Sequence, residues 1–129
     1  MSMRKLLLIV LLCTGLQGCS WLSKGKIRSD SVRVLIAPVT LRHDHYLTSA
    51  AGISPVDSAA WFGQSAKCRS LVKKLGSFVK ASVLEPVLEP VLDRHDAWVQ
   101  ADAVLPDVSR RTALRSSKLL RRILKEARK

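Results

Sequence analysis

Apolar positions change their spacing several times along this chain, and each change predicts an element. From Ser31 to Leu41, Val32, Val34, Leu35, Ile36, Val39 and Leu41 fall on both parities of a two-residue repeat. A β-branched run of this kind predicts one strand buried on both faces, which ends at Pro38 or lies at an edge because proline cannot donate to a ladder. A lone strand is unstable, so this one needs a neighbour, either residues 41–47 or a strand from a partner. Ser54-Pro55-Val56-Asp57 then combines a capping hydroxyl, a proline at the first helical position and an acid three residues after the cap, a helix start. At about 100° per residue, Ala60, Trp61, Cys68, Leu71, Val72, Leu75, Phe78, Val79 and Val83 gather on one side, with Lys67, Arg69, Lys73, Lys74 and Lys80 on the other. This predicts the main core-forming helix, interrupted only by Gly63 and Gly76, each costing about 1 kcal/mol relative to Ala.

Val83-Leu84-Glu85-Pro86 is repeated as Val87-Leu88-Glu89-Pro90 and varied as Val91-Leu92-Asp93. Each proline removes a helical hydrogen bond and biases the preceding Glu toward extended backbone, so the long helix is expected to end near Leu84. The stretch then reads as an extended crossover lying over the core, or as a strap for a partner. Residues 93–105 return to helix, anchored by Trp98 and stopped by Pro106. From Val108 onward Ala113, Leu119, Leu120, Ile123, Leu124 and Ala127 form one stripe and Leu114 stands apart from it. The fold class expected is mainly α: a small single domain with one or two short N-terminal strands, a long amphipathic helix and a basic C-terminal helix.

Charge sharpens the last element. The 129 residues carry 22 Lys and Arg against 10 Asp and Glu, a net charge of +12. Nine of those bases lie after Val108 opposite the apolar stripe: Arg110, Arg111, Arg115, Lys118, Arg121, Arg122, Lys125, Arg128 and Lys129, with Glu126 the one acid. Such a helix meets anionic lipid, peptidoglycan carboxylates or an acidic envelope protein. It also suits a fold-back onto its own neighbour, because residues 85–107 carry six acids and one base.

The N-terminus supplies an address. Arg4 and Lys5 precede the apolar run Leu6–Leu12, and small residues follow. Seven residues at about 1.5 Å each cover roughly 10 Å, too short for a permanent span, so the run reads as an export signal. Leu16-Gln17-Gly18-Cys19 resembles the lipobox of bacterial lipoproteins, with Gln17 a departure from the commoner small residue; Cys13 fits less well because Leu12 precedes it. The resemblance implies cleavage between Gly18 and Cys19, a diacylglyceryl group on the Cys19 thiol, and, from Ser20, an outer-membrane address facing the periplasm. Two or more acyl chains hold a protein firmly where one is marginal. The organisation expected is a signal peptide at 1–18, a lipidated tether at 19–30, a mainly helical module at 31–106 and the basic helix at 107–129. Only Cys68 then remains as a thiol, either a small buried hydrophobe or a site for an intermolecular disulfide.

Signs of chemistry are sparse. His43 and His45 would face one way on a strand, and with His95 they could make a metal site. Arg42-His43-Asp44 and Arg94-His95-Asp96 are the same tripeptide. There is no nucleophile elbow and no phosphate-cradling glycine loop. The expectation is a noncatalytic envelope lipoprotein with no catalytic residue, no metal and no cofactor beyond the covalent lipid, held by outer-membrane lipid through its acyl chains and not binding nucleic acid. A lysis factor resembling phage spanins is the alternative, and a small metal-dependent hydrolase ranks last.

Overall fold

The Val-Leu-Glu-Pro repeat builds a helix rather than breaking one. A four-residue repeat drifts by only about 40° per step in a 3.6-residue helix, so Leu84, Leu88 and Leu92 line one face and all three are buried. Glu85, Glu89 and Asp93 line the adjacent face. The prolines sit outside the fully buried stripe and lie inside the helix Ala81–Ala101. Burying that leucine stripe offsets the roughly 3 kcal/mol a proline costs in a helix interior.

The computed structural model describes residues 25–128. Strand β1 (Lys26–Arg28) leads into α1 (Ser29–Ser49) and α2 (Pro55–Leu71); strand β2 (Phe78–Lys80) leads into α3 (Ala81–Ala101) and α4 (Asp107–Arg128). The fold is the small, mainly helical domain that the apolar pattern predicts. Each strand runs directly into the helix after it, and the two strands pair antiparallel with Lys26 opposite Lys80, Ile27 opposite Val79 and Arg28 opposite Phe78.

That register exposes an internal duplication. Adding 52 to any residue of β1 or α1 gives its counterpart in β2 or α3, and α2 and α4 begin at equivalent positions. Ile27 and Val79 are both counterparts and direct partners, so an approximate two-fold axis passes between them. The core obeys it. Val32 and Leu84, Ile36 and Leu88, Val39 and Val91, Leu47 and Val99, Cys68 and Leu120, and Val72 and Leu124 are all buried, and among buried residues only Ala113 and Ala127 lack a buried counterpart. Neither βαα half could cover its own apolar faces, whereas two halves cover each other.

Several expected elements change. Ser31–Leu41 is helix, not strand: Val32, Ile36 and Val39 point inward at helical spacing and Val34 and Leu41 are exposed. The long helix ends at Leu71, and Val79 enters the core from a strand. A hook at residues 72–77 makes the turn, with Gly76 at φ 74°. It is fastened to the start of α1, where Ser29 N–H donates to Ser77 O at 3.0 Å and Asp30 Oδ1 accepts from Gly76 N–H at 3.0 Å. The Gly76 N–H and then Arg28 hold the Asp30 carboxyl below the usual range. The helix start at Ser54 is as expected, its hydroxyl accepting from Asp57 N–H at 3.1 Å. Within the stretch expected as a tether at 19–30, Lys26–Arg28 is strand and Ser29 and Asp30 begin α1, and α4 belongs to the same core as the rest through Leu120, Leu124 and Ala127. Leu6–Leu12, the Leu16–Cys19 motif and Lys129 lie outside the described residues.

Candidate functional site

Both readings of the basic helix apply, to different residues. On the inner side of α4, Arg121 donates to Glu89 at 2.8 Å, Asp93 at 2.9 Å and Asp96 at 3.2 Å, and Arg128 pairs with Glu85 at 2.8 Å. The acidic line of α3 therefore takes up these two cations. Arg121 loses hydration here, yet the hydrogen bonds it donates to Asp93 and Asp96 raise its pKa. Arg110 also turns inward, donating to the carbonyls of Val99, Asp102 and Leu105 at 2.8–3.1 Å and so capping the C-terminal end of α3.

The outer side is different. Arg111, Arg115, Lys118 and Arg122 follow one another at helical spacing, are exposed, and line a shallow cleft of about 510 Å³ with Leu114 and Leu119. Among the described residues no carboxylate pairs with any of them, nor with Lys125. At about 1.5 Å per residue the stripe is roughly 16 Å long. Leu114, out of register with the buried stripe, is explained as part of the cleft. Such a surface offers apolar contact at the centre and guanidinium forks for phosphate or carboxylate around it.

The repeated Arg-His-Asp tripeptide forms a second, buried cluster across the approximate two-fold axis. Arg94 Nε donates to His43 Nε2 at 3.2 Å, and Arg42 Nη1 lies 2.9 Å from His95 Nε2. Arginine can only donate, so each Nε2 accepts and each Nδ1 carries the hydrogen, given to Asp44 at 3.0 Å and Asp96 at 2.8 Å. Both imidazoles are fully buried. Burial most of all lowers the His43 pKa; the Asp44 hydrogen bond works against this and Arg94 adds to it. Burial opposes ionisation of Asp96, but hydrogen bonds from His95, Ser117 and Arg121 outweigh it and hold the carboxyl below its ordinary value.

The strand on which His43 and His45 would have faced one way is a helix. On a helix His43 and His45 face apart, and His45 is exposed. His43 and His95 already have both ring nitrogens engaged, and among the described residues no three His, Cys, Asp or Glu side chains converge on a metal position. Cys68 is a free thiol, fully buried, and burial pushes it up to about 12. Among the described residues no helix is long and apolar enough to cross a membrane. The apolar pattern gave no sign of the Trp61 ring lying 4.5 Å from the Arg94 guanidinium or of the Tyr46 hydroxyl donating to Asp102 at 2.7 Å. The chain is thus a mainly helical protein made of two interlocked βαα units. Comparison with family models, curated proteins and solved structures gives no match.

Proposed function

We propose that this chain is a noncatalytic lipoprotein of the bacterial cell envelope, anchored in the outer membrane by acyl chains on Cys19, whose helical module projects into the periplasm and engages an anionic partner through the outer face of α4. The lipobox resemblance at Leu16-Gln17-Gly18-Cys19 supports the address. The observation that carries the binding role is the division within α4: the cations facing α3 have partners, whereas Arg111, Arg115, Lys118 and Arg122 have none among the described residues and frame an apolar cleft. Like charges three or four residues apart on a helix cost a few tenths of a kcal/mol per pair. Anionic phospholipid, peptidoglycan and an acidic envelope protein all present groups that relieve this repulsion.

The test is co-sedimentation of the full chain carrying Cys19→Ser, and so without acyl chains, with peptidoglycan and with anionic vesicles at low and high salt, beside a variant of the same protein with Arg111→Glu/Arg115→Glu/Lys118→Glu/Arg122→Glu. The expected result is salt-sensitive binding, weakened at least tenfold in the variant while its helical content is unchanged. Equal binding by both proteins would remove the α4 face from the function.

A further inference from the structure

The two-stranded ribbon carries a feature that folding alone does not account for. Neighbours across an antiparallel pair point to the same side, and residues alternate along each strand. Ile27 and Val79 point into the core, so Lys26, Arg28, Phe78 and Lys80 all project from the opposite face. Lys26 stands directly opposite Lys80, a like-charge juxtaposition that destabilises a sheet. Neither lysine has a carboxylate partner among the described residues, and Asp30, which follows β1, is held by Arg28 at 3.0 Å and by the Gly76 N–H. Phe78 is 49% exposed in the midst of these cations. The ribbon thus has an aromatic side chain ringed by positive charge and a repulsion that an external anion would relieve.

Position in the chain says which anion. Six residues lie between Cys19 and Lys26, seven Cα-to-Cα steps that reach at most about 25 Å even when fully extended. The ribbon is therefore the first described element after the anchor. We propose that the β1–β2 face docks on the anionic phospholipid leaflet that holds the acyl chains, with Phe78 entering the headgroup region and Lys26 and Lys80 meeting lipid phosphates, so that the module stands on its ribbon rather than swinging freely on its tether. This rests on the reading of Cys19 as lipidated, and it separates the work of the two basic surfaces: the ribbon orients the module on its own leaflet, and the α4 face meets the partner. An aromatic ring with cations beside it is the combination that interfacial binding uses.

The experiment reconstitutes the mature lipoprotein into phosphatidylcholine vesicles with and without phosphatidylglycerol. An environment-sensitive fluorophore is placed at Phe78→Cys or, in a second protein, at Thr112→Cys on exposed α4, and quenchers are carried on the lipid. The expected result is quenching several-fold stronger at position 78 than at 112, present only with phosphatidylglycerol, and lost in Lys26→Glu/Lys80→Glu without release of the protein from the vesicles. Equal quenching at both positions, stronger quenching at 112, or no dependence on phosphatidylglycerol would overturn the proposal. So would protection of the ribbon lysines from chemical modification by duplex DNA, whose major groove also admits a two-stranded ribbon, in the absence of any effect of vesicles. Release of the wild-type protein by high salt reports loss of the acyl anchor instead, and so marks failure of the lipoprotein reading separately from failure of ribbon docking.

Discussion

The two halves of this molecule share a backbone plan and differ in how they hold their charges. In the second half Arg121 serves three carboxylates, Glu89, Asp93 and Asp96, and Ser117 donates to Asp96 at 2.8 Å. In the first half its counterpart Arg69 meets, among the described residues, Asp44 at 3.2 Å and Ser65 at 2.9 Å. The central arginines reverse this preference. Arg94 in the second half takes His43, Gln64 and the Trp61 ring, all supplied by the first half, whereas Arg42 meets His95 and the counterpart of Trp61 is the small Ala113. The duplicated fold needs one shared hydrophobic core, while the polar shell around it can diverge residue by residue. The second half has used that freedom to gather acids on α3 and surplus bases on α4.

If the core is shared equally, truncating counterparts should cost the same. Ile36→Ala and Leu88→Ala remove fully buried side chains on either side of the axis, and each should destabilise by about 3 kcal/mol in urea unfolding. A much smaller loss for one of them would mean that the halves do not unfold as one unit. The charged shell should be unequal. Arg121→Ala should cost about 2 kcal/mol, since it strips three carboxylates of a partner at a site about one-third exposed, and Arg69→Ala less than about 1 kcal/mol at a more exposed one. Equal losses would erase the asymmetry.

Protonation sharpens it further. The folded His43 pKa lies below its ordinary 6.5. The unfolded chain therefore takes up the proton first as pH falls, and stability present above pH 6.5 declines as the pH drops toward the folded value. Asp96, Asp30 and Asp102, lowered from 3.8, add a second decline below that pH. For Asp102 the Tyr46 hydroxyl is the largest cause. Denaturant titrations across pH should show both steps, and His43→Gln should flatten the first while leaving the second. The smallest effect belongs to the outer face of α4, where Arg115→Gln and Lys118→Gln should each change stability by less than about 0.5 kcal/mol.

The helix start at Ser54 and the basic C-terminal helix were legible because their signals are local: a cap, a proline at the first turn and a stripe opposite nine bases. Helix α1 was not, because Val32, Val34, Leu35, Ile36 and Val39 favour a strand on their own and become helical only when Val32, Ile36 and Val39 pack against the other half. Helix α3 was hidden for the same reason, its prolines tolerated because Leu84, Leu88 and Leu92 bury together. The shared Arg-His-Asp tripeptide was the visible trace of the duplication. Elsewhere the counterparts keep size and polarity more often than identity, as with Ile27 and Val79, so no longer run of letters repeats. The division of α4 into paired and unpaired cations needed the structure, since spacing alone cannot say which bases find Glu85, Glu89, Asp93 and Asp96.

The functional account depends on what happens at residue 19. Intact-mass and N-terminal peptide analysis of the protein purified from membranes should find a chain beginning at Cys19 and carrying a diacylglyceryl group on its sulfur. A chain that still begins at Met1, or a mature N-terminus with an unmodified thiol, would contradict it.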